Sequence, residues 1–176
     1  MKKHIILLIL IALLLNGCTQ ATNDMPRSAE QIAAMEDTEM YDTLITRFMD
    51  TEPNALNLQQ LTVAALVTFD AEMMNGGLCQ FFANDYSGYA PYIIDALDEI
   101  GAIQIQAHYS SFIAENKIDV TQMEDFRIAS VQDYINQYER FPYEAFDNRF
   151  YELYQQENLY ERLLAYARNH ADSIFD

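Results

Sequence analysis

The chain has 176 residues and a formal net charge of −17, with 27 acidic against 10 basic residues. This length is that of one ordinary domain with a sizeable core. The negative charge repels nucleic acid and acidic lipid headgroups, so it excludes direct nucleic-acid binding and favours a basic protein partner, although acidity also serves solubility alone.

The N-terminus has the three parts of a secretion leader in order. Lys2 and Lys3 form a positive segment, and an apolar run follows from Ile5 to Leu15. A membrane-spanning helix needs about 20 apolar residues, so this run is too short to span a bilayer comfortably. The pattern therefore predicts a signal peptide at residues 1–17.

The end of the leader, Leu15-Asn16-Gly17-Cys18, resembles the lipobox of bacterial lipoproteins. The resemblance implies cleavage before Cys18 and acylation of its thiol, which would anchor the protein in a lipid bilayer of the cell envelope. Thr19 stands where inner-membrane retention typically needs Asp, which favours the outer membrane in a two-membrane bacterium. The alternatives are an uncleaved N-terminal anchor and an ordinary signal peptide with a chance cysteine.

The second cysteine, Cys79, has no partner for an intramolecular disulfide if Cys18 carries lipid. It lies in the apolar segment Leu78 to Phe82, which is typical of a buried cysteine that acts as a small hydrophobe. A nucleophilic thiol would need a histidine, and after the leader the chain has only His108 and His170.

The segment after the leader is polar and has no apolar period, which indicates a flexible tether at residues 18–28 and a folded domain at residues 29–176. Apolar residues then recur at helical spacing and predict an amphipathic helix that ends before Pro53. These residues are Ile32, Met35, Met40, Leu44 and Phe48.

The next segment predicts the central helix of the fold. Asn57 and Gln60 form a capping-box pattern, and the residues from Leu58 to Met74 are apolar on nearly every face. We expect this helix to end in a sharp reversal at Asn75-Gly76-Gly77, because glycine readily takes the left-handed conformation of a helix end. A short helix from Leu78 to Asn84 follows.

The remaining segments also predict helices. After a turn at Asp85 to Gly88, the predicted helices run from Pro91 to Gly101, from Ile103 to Asn116, from a capping box at Thr121-Gln122-Met123-Glu124 to Pro142, from Phe146 to Gln156 and from Asn158 to His170. Residues 103–106 also alternate like a strand. With no repeat and no hairpin pattern, the fold class is all-α, a single compact domain of seven or eight helices.

The chain lacks the common motifs of chemistry. It has no phosphate-binding glycine loop, zinc-ligand set, His-Glu-x-x-His helix or serine elbow, so we predict no cofactor, no metal and no catalytic residue. Asp95 and Glu99 can share a helix face, but in so acidic a chain they are more typical of a solvated rim than of a catalytic pair. A hydrolase that uses Asp or Glu stays as an alternative.

One constellation stands out, formed by Glu72, Asn75, Gly76, Gly77, Gln80, Phe81, Phe82 and Asn84, with Gly88 after it. Together with Ala96 to Ala102 and Phe146 to Leu153, it resembles the signature of an acidic DNA-mimic protein family, and the similarity runs from about Met40 to the end of the chain. The resemblance implies an all-helical fold. It also implies that surface carboxylates stand in for DNA phosphates and occupy a transcription factor.

We expect the motif to serve structure first. The asparagine and glycines make the reversal, Phe81 and Phe82 anchor the short helix, and three polar groups hydrogen-bond the free amides of the loop. These groups are Glu72, Gln80 and Asn84, and they are also the ones available to a ligand.

The leading functional hypothesis is a membrane-anchored, non-enzymatic, acidic interaction domain of the bacterial envelope, with inhibition of a basic partner as a close variant. The alternative is a DNA mimic. A mimic must meet its target in the cytoplasm, which a lipoprotein leaves, so this alternative requires translation from a downstream start such as Met25 or Met35.

Overall fold

The computed structural model describes residues 29–175. The predicted signal peptide at residues 1–17, the lipidated Cys18 and the tether at residues 18–28 lie outside the described residues, so these predictions stay predictions.

Within residues 29–175 the chain forms nine α-helices and no strand, and the prediction of an all-α fold is confirmed. The α-helices are α1 (Ala29–Ala33), α2 (Asp37–Phe48), α3 (Leu58–Ala83), α4 (Ile93–Glu99), α5 (Ile103–Asn116), α6 (Val131–Arg140), α7 (Tyr143–Glu157), α8 (Leu159–Asn169) and α9 (Ala171–Phe175). Three 3-10 helices lie at Pro53–Ala55, Asp85–Tyr92 and Met123–Phe126.

Helix α3 is the centre of the domain. Every residue from Thr62 to Asp70 is buried, so this helix is covered on all faces. It packs against α2, α4, α7, α8 and α9 as well as two of the 3-10 helices. Such an all-round apolar helix can only be stable in a core, which is why its sequence places it there.

The start of α3 has the predicted capping box, which is confirmed. The Gln60 amide donates to Asn57 Oδ1 at 2.9 Å, and the Asn57 amide donates to Gln60 Oε1 at 3.1 Å. The same two side chains also donate to the backbone carbonyls of Ser173 and Ile174 in α9. The cap therefore joins the beginning of the core helix to the end of the chain.

The first amphipathic segment is two helices, so the prediction of one helix before Pro53 is wrong. The helix breaks between α1 and α2, and Arg168 of α8 donates to the carbonyl of Met35 at 3.1 Å and to Asp37 Oδ1 at 2.6 Å. A cation from a distant helix thus satisfies a carbonyl that an unbroken helix would have used itself.

The predicted capping box at Thr121 is also wrong. The Thr121 amide and hydroxyl both donate to Asp119 Oδ1, in a local turn, and only the 3-10 helix Met123–Phe126 follows. The cap of α6 is Ser130, whose Oγ accepts from the Asp133 amide at 3.2 Å. The serine cap satisfies one of the free backbone amides at the start of α6.

Residues 103–106 are helical, which excludes the strand alternative. Glu157, a buried residue at the end of α7, accepts from the backbone amides of Gln104 and Ile105, each at 2.9 Å. A carboxylate at a helix N-terminus satisfies free amides and opposes the positive end of the helix dipole.

Two other predicted helix starts differ from the structure, and one helix was not predicted. Pro91 lies inside the 3-10 helix Asp85–Tyr92, and α4 begins after it. Helix α7 begins directly after Pro142, and α9 was not predicted. None of the helices in residues 29–175 is long and apolar enough to cross a membrane.

Candidate functional site

The sequence motif lies where α3 is sharply bent. Gly76 and Gly77 have non-helical backbone angles, and Gly77 has φ 73° and ψ −169°, a region open essentially only to glycine. In a straight helix, residues 72 and 84 would lie about 18 Å apart along the axis. Glu72 Oε2 and Asn84 Nδ2 are 2.8 Å apart, so the end of α3 folds back toward its middle.

The three polar side chains of the motif hydrogen-bond to one another. Glu72 is 4% exposed, and its Oε2 accepts from Gln80 Nε2 at 2.7 Å and from Asn84 Nδ2 at 2.8 Å. The expectation that they bind free backbone amides is therefore wrong, because each amide group instead closes the bend by reaching the buried carboxylate. Hydrogen bonds to a charged acceptor are the stronger kind.

The free backbone groups at the bend are satisfied by α7. Asp147 Oδ1 accepts from the Leu78 amide at 3.0 Å, and the Tyr151 hydroxyl donates to the Met73 carbonyl at 2.7 Å. Burial raises the pKa of Asp147 above its ordinary value, while the Leu78 amide opposes this rise. Sequence reasoning singled out the segment from Phe146 to Leu153, which contains both α7 residues, but missed their roles. Nothing in their spacing links them to backbone groups 69 and 78 positions earlier.

We call Glu72, Gln80, Asn84, Asp147 and Tyr151 the kink cluster. Its members join both halves of α3 to α7, and each of them makes a hydrogen bond within the cluster or to the backbone at the bend. The arrangement holds a backbone in place, and its chemistry is that of a structural network.

The other motif residues divide between core and surface. Phe81 and Phe82 are fully buried, with ring centroids 5.1 Å from Phe69 and 5.2 Å from Phe126 respectively. Asn75 and Gly88 are exposed, and a Cβ added to Gly88 would meet nothing within 4 Å. Among the described residues, Asn75 has no side-chain hydrogen bond to the kink cluster, and Gly88 lies in the 3-10 helix that follows it.

The free thiol of Cys79 is buried at 2% exposure. Burial and the nearby Asp147 carboxylate raise its pKa to about 11. His108 also lies near Asp147, but its ring stacks on Phe146, with centroids 4.3 Å apart. A nucleophilic cysteine needs a lowered pKa and access, and this one has neither.

Another buried carboxyl belongs to Asp70, which sequence reasoning did not single out. It is 3% exposed and accepts a hydrogen bond from the Tyr41 hydroxyl at 2.5 Å, and Tyr154 also lies near it. Its Oδ1 has no hydrogen-bond partner among the described residues. Burial raises the pKa of Asp70, although the tyrosine hydroxyls oppose this rise.

The surface of the domain is dominated by carboxylates. Residues 29–175 contain 25 acidic and seven basic residues, and 20 of the acidic ones are exposed. The ion pairs in this part of the chain are Arg127–Asp85 at 3.0 Å, Arg149–Glu152 at 2.7 Å and Arg168–Asp37 at 2.6 Å. Most of the exposed carboxylates therefore face solvent without a cation.

Several of these acids line adjoining surface depressions. Asp50 and Glu52 share one depression with Asp85, and Asp85 shares the next with Glu124 and Arg127. That second depression meets a third at Tyr92, where Asp95 and Glu99 lie on exposed positions of α4. We call this surface the acidic rim, formed by Asp50, Glu52, Asp85, Asp95, Glu99 and Glu124.

The acidic rim does not form a metal centre by geometry. Across the described residues, no group of three or more His, Cys, Asp or Glu is arranged to hold a metal ion. The rim is a spread of charge along a surface, which can attract a basic macromolecule over about a Debye length.

The fold and this surface define an acidic, all-α domain. Residues 54–170 match the family model described as DMP19-like protein, which covers more than half of the chain and includes the whole motif from Glu72 to Gly88. The chain therefore belongs to the DMP19-like protein family, the DNA-mimic family that the motif resembles. No curated protein and no solved structure gives a significant match.

Proposed function

We propose that this protein is a non-enzymatic, acidic protein-binding domain that takes up a basic protein partner and is held at the bacterial envelope by acylated Cys18. The observation that carries the proposal is the excess of exposed carboxylates, 20 within residues 29–175, against three ion pairs in the same part of the chain. Clustered charge of one sign speeds the encounter with a partner of the opposite sign.

The kink cluster supports a structural rather than a catalytic role for the motif. Its carboxylates are engaged in internal hydrogen bonds, and the raised pKa of Cys79 disfavours the thiolate. Under the hydrolase alternative, Glu72→Ala and Gln80→Ala would remove turnover from a folded protein. We expect unfolding instead, which circular dichroism measures directly, and a folded variant that has lost a measured hydrolase activity would contradict the proposal.

A second function, DNA mimicry, is favoured by membership of the DMP19-like family. A domain of this size spans roughly 40 Å, and duplex DNA carries about two dozen phosphates over that length. The 20 exposed acids are of the same order. In this function the acidic surface occupies the DNA-binding face of a transcription factor.

Location separates the two functions. We expect wild-type protein in the native host to take up labelled palmitate and to sediment with the envelope, and we expect Cys18→Ala to lose the label. That result supports a partner outside the cytoplasm. A sizeable unlabelled cytosolic pool of the wild type would contradict the envelope proposal and favour DNA mimicry.

Charge neutralisation tests the binding surface. A variant with Asp50→Asn, Glu52→Gln and Asp85→Asn removes three charges from the acidic rim, and the matched control Glu30→Gln, Glu115→Gln and Glu161→Gln removes three exposed charges elsewhere. With the basic protein lysozyme as a probe, we expect the rim variant to associate with the probe more slowly than the control does at low salt. Equal association rates would show that only the total charge matters.

A further inference from the structure

Helix α6 presents its apolar residues to solvent. Val131, Tyr134, Ile135 and Tyr138 recur at the i, i+3, i+4 and i+7 positions of one helix face, which we call the α6 stripe, and they are 78%, 48%, 42% and 36% exposed. The buried residue of the helix is Gln137, at 8% exposure. An amphipathic helix of a monomeric domain normally buries its apolar residues and exposes its polar ones.

Polar contacts of Gln137 stabilise this orientation of α6, with the apolar residues outward and a glutamine inward. Its Nε2 donates to the Asp125 carbonyl at 3.3 Å, and its Oε1 accepts from the Tyr143 hydroxyl at 3.2 Å. Among the described elements, α6 has no extensive packing partner, unlike α3, α5 or α7. Tethering of a polar residue therefore fixes the helix with its stripe turned outward.

The exposed area of the α6 stripe is too small to form a stable protein interface by itself. With fully exposed side chains of roughly 150–200 Å² each, its exposed fractions amount to roughly 350 Å². A standard protein interface needs about 800 Å² from each partner. The surroundings of the stripe must supply the rest of a stable contact.

Those surroundings are acidic. Glu139 lies on α6 next to the stripe, Glu124 and Asp125 precede the helix, and Glu144 follows it. Arg140 is the cation nearest in sequence, and its guanidinium lies over the Phe141 ring, 4.8 Å from the centroid. At its C-terminal end the stripe continues into a depression that Tyr138 lines together with Phe141 and Glu144.

This charge selects among the possible occupants. A second copy of the chain would place the same carboxylates against each other, and the described part of each copy carries an excess of 18 acidic residues. Helices that lie on a membrane surface are rich in Lys and Arg on the polar face. Helix α6 has one arginine, Arg140, against two acids, Asp133 and Glu139. A basic protein is the occupant whose flanks would pair with these acids.

We propose that the α6 stripe is the docking site for an amphipathic helix of a basic protein, whose apolar face packs on the stripe while its flanking Lys and Arg residues pair with the surrounding carboxylates. The proposal rests on the proposed function in that the partner is basic. It adds an apolar contact at α6 to the charge of the acidic rim, with which the surroundings of the stripe share Glu124. Tyrosine suits such a face because its ring is apolar and its hydroxyl stays wet.

The test uses three synthetic helical peptides of equal length. The first has leucines at i, i+3, i+4 and i+7 among lysines, the second has the same composition with the leucines scattered, and the third replaces lysine by glutamate. The full-length chain is immobilised through a C-terminal tag, washed free of detergent, and compared with Val131→Gln/Ile135→Gln and with the control Gln132→Ala on the other face of α6. Peptide binding is followed by surface plasmon resonance.

We expect the first peptide to bind wild type and the control at least tenfold more tightly than the second, and the stripe variant to lose this difference. Equal affinities of the two basic peptides for wild type would overturn the α6 proposal while leaving the proposed function intact. Failure of both basic peptides to bind would count against the proposed function itself. Tight binding of the glutamate peptide would also overturn the proposal, because it would show that the surrounding carboxylates do not select a basic partner.

The other occupants give their own results with the same variants. Self-association of wild type in sedimentation equilibrium that the stripe variant lacks would identify a second copy as the occupant. Capture of phosphatidylcholine–phosphatidylglycerol vesicles that falls in the stripe variant but not in the control would identify a membrane. Either result would overturn the proposal.

Discussion

Replacement of Gly77 by alanine tests whether the bend in α3 depends on this residue. Gly77 has φ 73° and ψ −169°, where a side chain costs about 1–3 kcal/mol. The added Cβ would also lie 2.2 Å from Asp147 Oδ2, so the carboxylate would have to leave the Leu78 amide. Loss of that charged hydrogen bond costs about 1.5–3 kcal/mol.

We therefore expect Gly77→Ala to lower the free energy of unfolding by about 2.5–6 kcal/mol, a large part of the roughly 5–15 kcal/mol that a domain has. The measurement is urea unfolding followed by far-ultraviolet circular dichroism. Gly88→Ala is the matched control, because it lies in the same motif and its Cβ would meet nothing within 4 Å. We expect that change to be within about 1 kcal/mol of wild type.

A double-mutant cycle separates the two costs. In Gly77→Ala/Asp147→Ala the steric conflict with the carboxylate is gone, so the double variant should lose less than the sum of the single variants, with a coupling of about 1 kcal/mol or more. Additive losses, or a loss below about 1 kcal/mol for Gly77→Ala alone, would refute the account of the bend given above.

Three further predictions concern buried groups and helix caps. Because burial raises the pKa of Asp70, the stability this group contributes is complete below about pH 4 and is lost as the pH rises through the raised pKa. In urea titrations, the free energy of unfolding of Asp70→Asn should thus rise relative to that of wild type between pH 4 and pH 8. A difference between the two proteins that stays constant over this range would contradict the raised pKa of Asp70. With Cys18→Ala, the sole thiol is Cys79, whose pKa of about 11 should slow iodoacetamide labelling at pH 8 at least about 200-fold relative to an ordinary thiol; fast labelling of the native protein would contradict its burial. Ser130→Ala should cost about 1 kcal/mol of local stability in α6, seen as faster amide hydrogen exchange in that helix. Thr121→Ala should leave the exchange in α6 unchanged, and equal effects of the two changes would contradict the assignment of Ser130 as the cap.

The course of α3 shows how much a sequence can predict about such a fold. The capping box, the apolar run and the glycine pair are local signals, and they predict where the helix starts, that it is buried and where it breaks. The same kind of signal failed at Thr121, where a capping-box pattern stands before a 3-10 turn. A local pattern predicts that a segment is able to start a helix, and tertiary packing determines which of these segments does start one.

For the candidate site, the sequence selected Glu72, Gln80 and Asn84 but not the groups that complete the cluster. Asp147 and Tyr151 come from α7, and their roles depend on how that helix docks beside the bend. The acidic rim was predictable as composition only, because its members come from several separate segments.

By itself, the sequence determined that the domain is all-α, acidic and built around one apolar helix with a glycine break, because helix periodicity, net charge and backbone freedom are properties of neighbouring residues and of composition. Only the tertiary structure decided that the motif polar groups bind each other, that Asp70 is buried beside Tyr41, and that α6 turns its apolar stripe outward. These features depend on which distant surfaces meet, and the free energy that sets them is shared among contacts that no single segment contains.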